Sequence, residues 1–123
     1  VRSIVPDVEA IAELSQQYGA NGMMVFSTMT VEQSSTVHTR MFAPLIGIVE
    51  DPATGSASGA LGAYLVQHGV VDIRPETEIT AEQGYEMDRP SRILIQVNSD
   101  DDAIQGVMVG GEAVMVVEGM LSF

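Results

Sequence analysis

The spacing of apolar and polar positions changes several times along the chain. Residues 1–5 alternate weakly and read as a strand. Behind Pro6-Asp7, Val8, Ile11, Ala12 and Leu14 to Ser15 recur at helical spacing. Asp7, Glu9 and Glu13 lie toward the N-terminal end, and Gly19 follows Tyr18. Acids at the start and a glycine at the end predict a helix there. Asn21-Gly22 is a turn, and residues 22–28 read as a buried strand. Residues 29–35 are polar and are expected to connect a hairpin. Residues 36–43 then alternate, with Val37, Thr39 and Met41 on one face and His38, Arg40 and Phe42 on the other. Pro44 and Gly47 end this strand. A second helix is predicted after Ser56, carrying Leu61, Tyr64, Leu65 and His68 to a stop at Gly69. Four strand-like runs follow, at 77–82, 92–98, 104–109 and 113–121. Residues 99–102 form an acidic turn, and Gly110-Gly111 has hairpin chemistry.

This order predicts an α+β fold. The second helix is apolar almost all round, so it is expected to be buried. Its small residues Ala60, Gly62 and Ala63 call for strands packed close to the helix backbone. A mostly antiparallel sheet, curled or closed into a barrel around that helix, satisfies both demands, with the first helix outside. One domain over residues 1–123 fits the length.

Seventeen acids against five arginines, without lysine, give a net charge of -12. A basic patch for nucleic acid or for an anionic membrane surface is not expected. An acidic ligand would need local donors against the overall field. The chain has no cysteine, so thiol chemistry and Cys-based metal sites are excluded. Two histidines, His38 and His68, do not make a metal cluster, and residues 100–102 lack the spacing of a calcium loop. No apolar run is long enough for a membrane span. Residues 1–7 do not read as a signal peptide, and the missing starting methionine suggests a piece of something longer. The expected location is the cytoplasm.

The chemistry concentrates in Glu50-Asp51-Pro52-Ala53-Thr54-Gly55-Ser56-Ala57. Pro52 fixes a torsion, Gly55 permits close approach, and Thr54 or Ser56 is placed to cap the helix. The first N–H groups of that helix have no partners inside it and point where an anion binds well. A carboxylate, Asp51, thus stands beside free amide donors. The same string also reads as an ordinary turn followed by an ordinary cap.

The string closely resembles the signature of the phenazine-biosynthesis (PhzF-like) family, which has the diaminopimelate-epimerase fold. Arg40-Met41-Phe42-Ala43-Pro44, Glu82-Gln83-Gly84, Arg89-Pro90-Ser91, Val109-Gly110-Gly111 and Glu118-Gly119-Met120-Leu121 follow in the family's order. Asp88 departs from it, standing where the family usually has glycine. The resemblance implies a C-terminal lobe of a two-lobed, cofactor-independent isomerase or epimerase, with the active site between the lobes. It implies acid/base proton transfer on a small carboxylate-bearing metabolite. Asp51 would be the catalytic or orienting carboxylate. Gly55 and Ser56 would give N–H groups to the substrate carboxylate, with Thr54 beside them. Glu50 and Arg40 are possible supports, and a salt bridge is the first reading of Arg40. The family's principal glutamate base and its Gly-His pair belong to the other lobe, and nothing here matches them. The missing N-terminal lobe and a homodimer are the implied partners. A carboxylate-binding module and a dimerisation lobe are the alternatives.

Overall fold

The first helix, α1 (Val8–Tyr18), starts and stops on its predicted signals. The Asp7 carboxylate accepts from the Ala10 N–H at 3.0 Å, and Gly19 ends the helix at φ 63°. The computed structural model describes residues 1–100 and 103–122. Strand β1 (Met23–Ser27) and strand β2 (Val37–Ala43) then form the expected antiparallel hairpin. Pro44–Ile46 makes a 3-10 turn that Gly47 closes at φ 83°. A short strand, β3 (Ile48–Asp51), precedes helix α2 (Gly55–Gln67). Strand β4 (Glu76–Gln83), a second 3-10 turn (Tyr85–Met87), strand β5 (Ser91–Asp100) and strand β6 (Ala103–Gly110) complete the regular structure.

The fold is α+β. The sheet runs β1-β2-β4-β5-β6, antiparallel except where β2 and β4 lie parallel. One edge of β2 is divided. Residues 37–39 pair with β4, and Met41 and Ala43 pair with β3. The side chains facing α2 make the core: Val37, Ile79, Ala81, Ile93, Ile95 and Val97 close on Leu61, Leu65 and Val66. Gly62 sets the helix distance, because a methyl group there would come within 2.5 Å of Ile95 Cγ2. Helix α1 packs outside, on the Pro44–Ile46 turn and β2.

Several expectations are corrected. The sheet curls but does not close, so α2 is buried on one face only. Ala60 and Tyr64 are exposed, and with Met24, Phe26 and Met41 they line an open groove of about 470 Å³. Residues 1–5 form no strand. Their carbonyls turn inward instead, and Arg40 Nη1 donates to those of Val1 and Ile4. Residues 113–121 carry the alternation of a strand but pair with no other strand among the described residues. Val114, Val116 and Met120 stay exposed, since an apolar run forms a strand only where a partner edge meets it. Ser99 and Asp100 belong to β5, while the rest of the expected acidic turn, residues 101 and 102, lies outside the described residues.

Candidate active site

Directly paired residues share a sheet face, so the register of β2, β4 and β5 generates two adjacent rows with different tasks. Thr39, Gln83 and Ser91 form the first, on the α2 face. Gln83 is wholly buried. Its Nε2 donates to the carbonyl of Asp51 at 2.6 Å and to Thr54 Oγ1 at 3.0 Å, and its Oε1 accepts from the Thr54 N–H at 3.3 Å. Ser91 Oγ donates to the carbonyl of Pro52 at 2.8 Å, and Thr39 Oγ1 donates to the carbonyl of Glu82 at 3.0 Å. The loop from Asp51 to Thr54 is therefore fastened to two strands.

That attachment decides where the predicted residues go. Asp51 ends β3 half-buried, and its carboxylate accepts from Thr54 Oγ1. Thr54 occupies the N-cap position of α2, yet its side chain makes no capping bond: its oxygen accepts from Gln83 Nε2 while its hydroxyl donates to Asp51, and the two together hold it away from the helix amides. The expected cap is absent for that reason. Ser56 lies inside the helix and does not cap it either. Among the described residues, the N–H groups of Gly55 and Ser56 have no hydrogen-bond partner. The structure thus brings together Asp51, Thr54, Gly55 and Ser56 around one helix start.

Glu50 and Arg40 stand apart from this group. They form a two-pronged pair, Nε to Oε1 at 2.8 Å and Nη2 to Oε2 at 2.9 Å. This is the salt bridge read first from the sequence. Glu50 holds the Arg40 guanidinium above its ordinary range, against the opposing pull of burial. The guanidinium also lies over the Phe42 ring, 4.9 Å from its centre.

The second row, His38, Glu82 and Arg92, occupies the opposite face of the sheet. His38 is buried, with Nδ1 2.7 Å from Glu82 and Nε2 2.9 Å from Glu86. Burial alone would raise the Glu82 carboxyl. The N–H groups of Val31 at 2.5 Å and Glu32 at 3.0 Å, together with His38, outweigh it and hold Glu82 below its ordinary value. This cluster ties the 29–35 connection to the sheet.

Gly84 and Asp88 shape the turn that follows β4. Gly84 has φ 85°, and a Cβ there would collide with the carbonyls of Arg89 and Pro52. Asp88 holds φ 54° without being glycine, and Asp is among the few residues that enter this region at modest cost. The turn is therefore made despite the departure from the family pattern.

A cleft of about 740 Å³ opens at this end of the sheet. Its walls include Ala53, Gly55, Ser91, Tyr85, Arg92 and Glu32, but not Asp51. Sequence reasoning did not single out Gln83, Ser91 or Arg92 as site residues. Glu82-Gln83-Gly84 and Arg89-Pro90-Ser91 were visible as strings, but their roles depend on strand register. Among the described residues, no group of three or more His, Cys, Asp or Glu is arranged to hold a metal ion. No helix there is long and apolar enough to cross a membrane.

The family described as phenazine biosynthesis-like protein matches residues 1–119. An uncharacterized isomerase of Clostridium acetobutylicum is 35% identical over 122 residues, which is 98% of this chain and 40% of that protein. The trans-2,3-dihydro-3-hydroxyanthranilate isomerase of Pseudomonas chlororaphis is 39% identical over 83 residues, 68% of this chain and 29% of that protein. The crystal structure of a Bacillus anthracis phenazine biosynthesis protein of the PhzF family superposes with a TM-score of 0.70 at 26% identity, covering 88% of this chain and 36% of the other. The chain thus spans about 40% of the length of the C. acetobutylicum relative. Sequence and fold agree, and the chain belongs to the phenazine biosynthesis-like family of isomerase relatives.

Proposed function

We propose that this chain supplies one half of the active site of a cofactor-independent isomerase or epimerase. The reaction is acid/base proton transfer on a small carboxylate-bearing substrate, and a second lobe supplies the other half. Gly55 and Ser56 bind the substrate carboxylate through N–H groups that need no rearrangement. Asp51 holds a polar group of the substrate or carries the proton. Thr54 sets the direction of the Asp51 carboxylate through its hydroxyl. The relatives named as isomerases support the reaction class.

The observation that carries this reading is the junction of β3 and α2. A half-buried carboxylate and two unpartnered amides are held within one loop by a buried glutamine. The test is uptake of deuterium from heavy water into candidate acids by the full-length protein. D51A is expected to lower exchange about a hundredfold to ten-thousandfold, as loss of an acid/base group does. Equal exchange by wild type and D51A would remove Asp51 from the chemistry.

A further inference from the structure

The cleft beside Gly55 poses an electrostatic problem. Glu32 and Glu112 are on its walls, and the chain as a whole carries -12. Such a pocket repels an acid unless a cation offsets the field. Among the described residues, Arg92 is the one cationic side chain on those walls.

Arg92 is also uncommitted. Arg40, which shares its face of the sheet, is locked to Glu50, whereas Arg92 forms no ion pair among the described residues. It forms no ion pair with Glu32, although both line the same cleft; Glu32 instead accepts from the Tyr85 hydroxyl at 3.3 Å. Burial and then the charges of Glu32 and Glu82 push the Tyr85 hydroxyl up, and Arg92 pulls it back, so the arginine's field reaches the cleft wall. Its position is fixed from the neighbouring residue. Ser91 is bonded to the carbonyls of Pro52 and Gln83, so the start of β5 and the Asp51 loop form one framework. Beyond residue 94, β6 no longer pairs toward the start of β5, and this leaves the Arg92 end of the strand open to the cleft.

We infer that Arg92 is a specificity-determining anchor for a second anionic group on the substrate, so that the site selects acids with two anionic groups over simple monocarboxylates. The inference rests on the proposed function above, in which the Gly55 and Ser56 amides take the first carboxylate. A planar guanidinium presents a fork that a carboxylate meets with two parallel hydrogen bonds. The Gly55 end of α2 at one wall and a free fork at another give the cleft two separate places for negative charge.

The test is calorimetric titration of the full-length protein with butyrate and with succinate, in wild type, R92M and R92K. Wild type is expected to bind succinate more tightly than butyrate. R92M should weaken succinate about tenfold, the effect of losing one charge-assisted contact, and weaken butyrate by less, so that the preference for succinate shrinks. R92K should recover part of the loss. Arg92 is exposed, so the variants are expected to fold, and matching thermal unfolding curves check this. An unchanged succinate preference in R92M, with butyrate still bound, overturns the role of Arg92 and leaves the amide site standing. Failure of wild type to bind either acid overturns both together.

Discussion

At the scale of single residues, Gln83 holds the Asp51–Thr54 loop without touching the reacting groups. Q83A leaves the Asp51 carbonyl and the Thr54 N–H without their partners in a poorly hydrated place. Each orphaned group costs on the order of 1–3 kcal/mol, so a loss of about 2–4 kcal/mol in a denaturant titration is expected. Exchange activity should fall along with it, because Thr54, whose hydroxyl orients the Asp51 carboxylate, loses its own anchor. An unchanged unfolding midpoint would show that the loop is held by something else. The loop after Asp51 and the helix start at Gly55 were legible in the sequence because proline and glycine leave local marks. Gln83 was not, since a glutamine on a strand looks the same whether it faces water or a loop 29 residues away. The Thr54 cap was misread for a related reason: local rules place a threonine at the helix start, but they do not show that its oxygen accepts from Gln83 and its hydroxyl turns to Asp51.

Among the elements, the strands were legible where turn chemistry bounded them, and α1 was legible at both ends. Strand β3 was hidden because it is only four residues long and directly enters the signature loop. The run at 113–121 was read as a strand from alternation alone, which says nothing about whether an edge is there to receive it. The Glu82 cluster is also an effect of elements, joining β2, β4 and the 29–35 connection. Its pH dependence has a definite sign. The folded carboxyl lies below its ordinary value of 4.5, so ionised Glu82 contributes stability above that pH. The contribution is lost as the pH falls through the lowered folded value. E82Q should therefore be less stable at neutral pH and show a flatter loss of stability between about pH 5 and 3, followed by urea midpoints across that range. Parallel curves for wild type and E82Q would mean that other carboxylates set the acid limit.

For the molecule as a whole, the open sheet is the dominant fact. The groove beside Tyr64 and the apolar run at 114–117 leave hydrophobic surface in water, and strands β1 and β6 lie at the two ends of the sheet. The isolated chain is expected to self-associate at tens of micromolar, read as a concentration-dependent sedimentation coefficient. A strictly monomeric species across that range would mean that these surfaces are tolerated in water. The curled sheet on one helix was foreseeable from periodicity and small residues. Its failure to close was not, because periodicity does not show which strands find a partner edge.

The divided edge of β2 carries one more consequence. Residues 37–39 are taken by β4 and Met41 and Ala43 by β3, so the carboxylate-bearing segment is woven into the same fabric as the core. It is a shelf rather than a flap: swinging it outward would break its pairing with β2 together with the Gln83 and Ser91 bonds to the loop behind it. Under the function proposed above, admission and release of a small acid would fall to the second lobe, with the shelf unmoved.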